Sequence, residues 1–237
     1  TVLSGWDGGM SGMNPKLAVW RDRLLTIVII WVAWALISTF VAQPFKIPSG
    51  SMENTLGVGD RIVVEKWSQD VKRGDVVVFA DDLHWEPAQA APTGWRKAVR
   101  GVATATHIAA EGNHLVKRVV GLPGDVVSCS EPNAKLTVNG VAVDEPYLQA
   151  GLNGCTPSPG QASKWSITVP AGHIWVMGDH RDDSADSRSH DDGTGRLGSV
   201  PLSAVTGRAI AVVWPLNHLA GGHGDADAFA KVPAPKK

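Results

Sequence analysis

From Leu24 to Ala42 the chain reads LLTIVIIWVAWALISTFVA, 19 residues without a charge. Only Thr26, Ser38 and Thr39 break its apolar character. As a helix rising 1.5 Å per residue this run spans roughly 28 Å, close to the hydrocarbon thickness of a bilayer. A buried core helix usually keeps a polar face, and the apolar part of a cleaved secretory signal is usually shorter. The run therefore predicts a single transmembrane helix over 24–42. Beyond it the pattern changes to short apolar stretches divided by turns. Strands are predicted at Arg61–Lys66, Val76–Phe79, His114–Val120, Ser166–Val169, Ile174–Met177 and Val205–Trp214. Lys135–Val138 and Val141–Val143 flank Asn139-Gly140, the favoured two-residue hairpin turn. Trp95–Ala110 carries a weak helical period, and Gly178–Gly198 reads as a polar loop. The fold class is mainly β: an antiparallel β-sheet domain behind one N-terminal transmembrane helix.

Composition narrows this further. With 237 residues and 43% hydrophobic positions, one or two domains with a sizeable core are possible. A net charge of −1 gives no reason to expect a nucleic-acid partner. Of ten tryptophans, Trp20, Trp31 and Trp34 lie in or beside the apolar run, where amphipathic rings suit a membrane boundary. Trp175 and Trp214 fall in strand-like segments and read as core. Lys16, Arg21 and Arg23 precede the run, whereas only Lys46 follows closely. Positive charge is retained on the cytoplasmic side. Residues 1–23 are accordingly expected to be a disordered, basic cytoplasmic segment. The domain from 43 to 220 is expected outside, with a long insertion at 80–113 and a disordered tail at 221–237.

Ile47 lies five residues past the predicted helix, and the candidate chemistry follows it at Pro48-Ser49-Gly50-Ser51-Met52. Serine and glycine are ordinary turn residues, so this stretch alone reads first as a loop. A nucleophilic serine also needs a base. None of the eight histidines has a rigid, glycine-framed setting. Lys117 lies in the apolar strand Leu115-Val116-Lys117-Arg118-Val119-Val120, where it shares a face with Val119 while Arg118 points the other way. A dry face lowers a lysine's pKa and lets its neutral amine take a proton. An exposed lysine on a surface strand is the plainer reading.

Four segments, taken in order, resemble bacterial type I signal peptidase, a membrane-anchored Ser-Lys endopeptidase family. They are Pro48-Ser49-Gly50-Ser51-Met52, Arg73-Gly74-Asp75-Val76-Val77-Val78-Phe79, Lys117-Arg118-Val119-Val120-Gly121-Leu122-Pro123-Gly124-Asp125, and Met177-Gly178-Asp179-His180-Arg181-Asp182-Asp183-Ser184-Ala185-Asp186-Ser187-Arg188. With Asp144-Glu145-Pro146-Tyr147-Leu148 and the preceding helix, the similarity runs from about 24 to 214. The resemblance implies that Ser51 is the nucleophile and Lys117 the general base. It implies that Ser49 joins the Ser51 N–H in an oxyanion hole. Ser184 would orient the Lys117 amine, and Asp186 and Arg188 would form a supporting ion pair. Phe45, Ile47, Pro48 and Val116 would line shallow apolar pockets for an Ala-X-Ala cut site. The substrates implied are signal peptides of exported preproteins, handled at the outer face of the bacterial plasma membrane in contact with the lipid bilayer. No cofactor or metal is implied, and the acidic residues of the fourth segment read as a solvated loop.

The chain departs from the family pattern at His180 and Asp183, where asparagine is common. A carboxylate at 183 beside Ser184 would raise the lysine's pKa if it faced the site. Cys129 and Cys155 both lie beyond the helix, and an even count outside the cytoplasm favours a disulfide over two free, part-buried thiols. A related Ser-Lys maturation peptidase with another secreted substrate, and a non-catalytic membrane-anchored β-domain, are the competing readings.

Overall fold

The computed structural model describes residues 15–68, 70–86, 94, 113–158, 160–221 and 224–235. The helical period at Trp95–Ala110 and nearly all of the 80–113 insertion beyond Glu86 lie outside the described residues, as do residues 1–14.

Helix α1 covers Pro15–Phe40. It starts at Pro15 rather than Leu24, so the basic stretch expected to be disordered is helical from residue 15. Proline is favoured at the first helical position, where its missing N–H has no intrahelical partner to lose. Lysine and arginine are themselves good helix formers. Within α1, Val19–Phe40 is long and apolar enough to cross a bilayer, and almost none of it is buried against the rest of the chain. Its length, about 33 Å at 1.5 Å per residue, suffices to cross a bilayer. The helix stops at Phe40 rather than Ala42, and β1 begins at Ala42; Pro44 lacks the N–H that would continue the helix, and its ring would clash with the Phe40 carbonyl.

Strand β1 (Ala42–Lys46) follows at once and pairs antiparallel with β2 (Arg61–Glu65), placing Phe45 opposite Ile62. Pro44 hides β1 in the sequence. A strand proline is tolerated at an edge, and β1 is an edge strand. Next come β3 (Val76–Ala80) and β4 (His114–Gly121), paired so that Val77 stands opposite Lys117. A second sheet is built from β5 (Val126–Cys129), β6 (Thr137–Val138), β7 (Val141–Ala142) and β8 (Trp165–Thr168). Its order is β7-β6-β5-β8, with Asn139-Gly140 as the tight turn at positive φ. Strand β9 (His173–Met177) returns to the main sheet, and helix α2 (Ser187–His190) follows it. The main sheet is completed by β10 (Val200–Pro201), β11 (Val205–Trp214) and β12 (Ala220–Gly221). Its order is β1-β2-β11-β3-β4-β9-β10, with β12 on β11, and every pairing is antiparallel.

The continuous apolar run of β3 reflects burial on both faces. Val76 and Val78 pack with Ile47, Met52 and Leu56, while Val77 and Phe79 pack with Leu115, Val119 and Val176. A third cluster joins the small sheet to Trp175 and contains the Cys129–Cys155 disulfide. Trp175 is buried there, whereas Trp214, read as core, is half exposed at the end of β11.

The tail expected to be disordered is held in place over its described part. Phe229 and Val232 enter the third cluster. Arg73 donates to the Val232 and Pro233 carbonyls, and the Asp225 N–H donates to Gly74 O. Polar composition concealed two apolar side chains three residues apart, enough to dock the segment.

Candidate active site

The turn after β1 is fixed at both ends. The Ile47 N–H donates to Asp60 O at 2.8 Å, and the Gly59 N–H donates to Ile47 O at 2.9 Å. Inside the turn the Glu53 N–H donates to Gly50 O, and the Leu56 N–H to Met52 O, both at 2.8 Å. Met52 and Leu56 are fully buried and act as anchors. Ser51, between these anchored points, is half-buried at a shallow cleft. Ile47, Pro48, Ser49 and Val116 line this cleft with Ser51 and Lys117. Phe45 does not line it. Its ring is buried and meets His114 edge-on at 5.2 Å.

Strand β4 brings Lys117 to this turn. Lys117 Nζ lies 2.5 Å from Ser51 Oγ, and the lysine is only 2% exposed. Burial pushes its amine below the ordinary lysine value, while the carboxylates of Asp186, Glu86 and Asp179 pull it back up. A hydroxyl beside a desolvated amine is a pair that can exchange a proton and generate a nucleophile.

The polar loop after β9 is not a solvated acidic loop throughout. Asp179 and Asp186 are completely buried, whereas Asp182, Asp183 and Asp192 are exposed. The Asp183 carboxylate thus faces solvent, and the acidic groups acting on Lys117 lie elsewhere. Asp186 caps α2 by accepting the Arg188 N–H at 3.1 Å. It also pairs with the Arg188 guanidinium at 2.8 Å and accepts the Gly178 N–H at 3.0 Å. Burial alone would raise the Asp186 pKa, but Arg188 and the Gly178 N–H hold it below the ordinary carboxylate range.

Ser184 is placed differently from expectation. Its hydroxyl is buried and has no hydrogen-bond partner among the described residues, so the Ser184–Lys117 hydrogen bond is not formed. Its backbone is instead pinned from the far side: Ser158 Oγ meets both its N–H and its carbonyl at 3.2 Å, and Gln161 Nε2 donates to the same carbonyl. Gly178 lies between the two serines. A Cβ built there would come within 2.2 Å of Ser184 Oγ and 2.5 Å of the Ser51 carbonyl oxygen.

Sequence reasoning missed the packing behind the turn. Arg118, on the opposite face of β4 from Lys117, pairs with Asp179 at 2.7 Å, and Asp179 accepts the Thr55 hydroxyl at 2.5 Å. Arg181 pairs with Glu145 at 2.5 Å and donates to Gly178 O. The alternation of Asp and Arg in Asp179-His180-Arg181-Asp182 was the available signal, but it does not say which charges are inside. Glu86, at the mouth of the insertion, lines the cleft as well, and nothing in its local sequence marks it.

With this geometry in view, sequence similarity to known proteins points to one family. The family model described as signal peptidase, peptidase S26, matches residues 20–214. Signal peptidase I of Mycobacterium tuberculosis is 39% identical over 221 residues, covering 84% of this chain and 74% of that protein. A probable signal peptidase I of Mycobacterium leprae is 36% identical over 239 residues, covering 90% and 82%. A crystal structure of a signal peptidase I from Enterococcus faecalis aligns with a TM-score of 0.35 at 24% identity, covering 59% of this chain and 96% of that one. The chain belongs to the signal peptidase family, peptidase S26.

Proposed function

We propose that this chain is a membrane-anchored serine endopeptidase that removes signal peptides from exported preproteins, cutting after small residues of Ala-X-Ala type. The observation that carries the reading is the 2.5 Å approach of a buried lysine amine to a hydroxyl on an anchored turn just past an apolar helix. In the proposed reaction the neutral Lys117 amine takes the Ser51 proton as Oγ attacks the scissile carbonyl. The tetrahedral oxyanion is met by the Ser51 N–H and the Ser49 hydroxyl. Donors aimed at a developing oxyanion commonly supply about 3–4 kcal/mol of barrier reduction. The Lys117 ammonium then protonates the leaving amine. The same amine activates a water that hydrolyses the acyl-enzyme.

Residues 1–23 lie on the cytoplasmic side in this reading, and the domain from 43 to 220 faces outward. The active site then meets a cut site as it emerges from the bilayer. The lining of Ile47, Pro48 and Val116 beside Ser51 supports a shallow apolar subsite suited to short side chains. An extended substrate points its first and third side chains before the cut to the same wall. Ile47 belongs to that wall, so Ile47→Ala is expected to broaden cut-site preference more than it slows cleavage.

The test is N-terminal sequencing of the product released from a synthetic preprotein by the purified full chain in detergent. A single cut after Ala-X-Ala supports the proposal. Release at unrelated sites, or none, would overturn it.

A further inference from the structure

We infer that His180 is a positioning residue that aims the Ser51 N–H into the oxyanion site. The inference deepens the proposed function and rests on the assignment of Ser51 as nucleophile and oxyanion donor.

His180 grips two successive carbonyls of the turn. Its backbone N–H donates to Ser51 O at 3.1 Å. Its ring Nδ1 lies 3.2 Å from Gly50 O. A carbonyl only accepts, so Nδ1 carries the proton in this contact. Gly50 O also receives the Glu53 N–H at 2.8 Å, and its two lone pairs accommodate both donors. The Gly50–Ser51 peptide is trans and planar, so its N–H points opposite to its C=O. Holding the Gly50 carbonyl toward His180 therefore holds the Ser51 N–H toward the other side, where the proposed oxyanion forms. The Glu53 bond closes the turn but comes from within the same turn. The His180 ring ties that peptide plane to the loop after β9, which also carries Gly178 and Asp186.

The ring itself is restrained. It is 20% exposed, with the Glu53 carboxylate 3.6 Å from Nδ1 and the Asp182 carboxylate 3.5 Å from Nε2. The contacts described for the ring are with the Gly50 carbonyl and these two carboxylates, and none is with the Lys117 amine.

The geometry makes a position-specific demand. Asparagine carries its amide nitrogen on Cγ, as histidine carries Nδ1, whereas glutamine places its amide nitrogen one bond further out. The test compares His180→Ala, His180→Asn and His180→Gln in the full chain, with kcat, KM and thermal midpoint measured on one synthetic preprotein. An oxyanion forms only on the way to the transition state, so the loss should fall on kcat. For His180→Ala a fall of about 10- to 100-fold in kcat with KM unchanged is expected, less than the roughly 10²–10³-fold cost of deleting a donor outright. His180→Asn should recover most of the activity at a thermal midpoint like that of the alanine variant, and His180→Gln should not. Parental kcat in His180→Ala, or equal impairment of the asparagine and glutamine variants, overturns the inference. Ser51→Ala is run beside them. If Ser51→Ala is inert while His180→Ala is fully active, the positioning role fails alone. If Ser51→Ala is active, the reading beneath it fails too.

Discussion

Lys117 Nζ and Ser51 Oγ are 2.5 Å apart although 66 residues separate them in the chain. The contact joins the centre of β4 to the turn after β1. It is made where the lysine has lost nearly all contact with water. Two consequences of that burial can be measured against pH.

The first is kinetic. The proposed mechanism needs the neutral amine, so activity should fall as pH drops through the Lys117 pKa. Burial places that pKa below the ordinary 10.5, and kcat/KM should show an acid limb at correspondingly lower pH. The Glu86 carboxylate pulls the value upward, so Glu86→Gln should move the limb to lower pH. The second is thermodynamic. Between the lowered folded value and 10.5, the unfolded chain holds a proton on Lys117 that the folded chain does not. Stability contributed by this group is therefore fully present above 10.5 and declines as pH falls toward the folded value. Lys117→Met should flatten that slope in urea titrations, and an unchanged slope would count against a depressed lysine.

Gly178 predicts a severe local effect. An alanine Cβ there meets the Ser184 hydroxyl and the Ser51 backbone oxygen well inside contact distance. The hydroxyl can rotate away, but the Ser184 Cβ at 2.6 Å and the Ser51 carbonyl cannot, so the backbone must shift. Gly178→Ala is expected to cost about 1–3 kcal/mol of stability, as overpacking does. It should slow cleavage more than that loss implies, because the shift displaces Ser51 itself. Parental rates in this variant would show that the turn has more freedom than its contacts imply.

The C-terminal segment should matter for stability and not for chemistry. Truncation after Gly221 removes the buried Phe229 and Val232 side chains. At about 1.5–3 kcal/mol for each buried apolar side chain, a loss of roughly 3–6 kcal/mol is expected. Urea unfolding of the truncated and full chains measures it. Coincident midpoints would mean that the docked tail contributes nothing.

The legible parts of the sequence were those with a strong period or a strong resemblance. The uncharged run of α1 read directly by its length, and β3 because burial on both faces leaves it without a polar interruption, whereas β4 read as a strand in spite of Lys117 and Arg118. Ser51 and Lys117 stood out together only through the four ordered segments, since a Ser-Gly-Ser turn and a strand lysine each have a commoner explanation. β1 was illegible because Pro44 reads as a strand breaker, although an edge strand tolerates it. The loop after β9 was illegible for a different reason. Asp179, Asp186, Asp182 and Asp183 are the same residue type in one polar stretch, and only their partners, the distant Arg118 for Asp179 and the nearby Gly178 and Arg188 for Asp186, decide which are buried. Ser184 shows the same limit. Its backbone is set by Ser158 and Gln161, which carry no motif, and this leaves its hydroxyl beside Gly178 without the lysine contact.

The most direct measurement is the rate at which the purified full chain and its Ser51→Ala and Lys117→Ala variants cleave one preprotein under the same conditions. Both variants are expected to fold with near-parental thermal midpoints and to lose at least about 10³-fold in kcat, as removal of a nucleophile or its base does elsewhere. Cleavage by either variant within about tenfold of the parent would contradict a Ser51–Lys117 dyad.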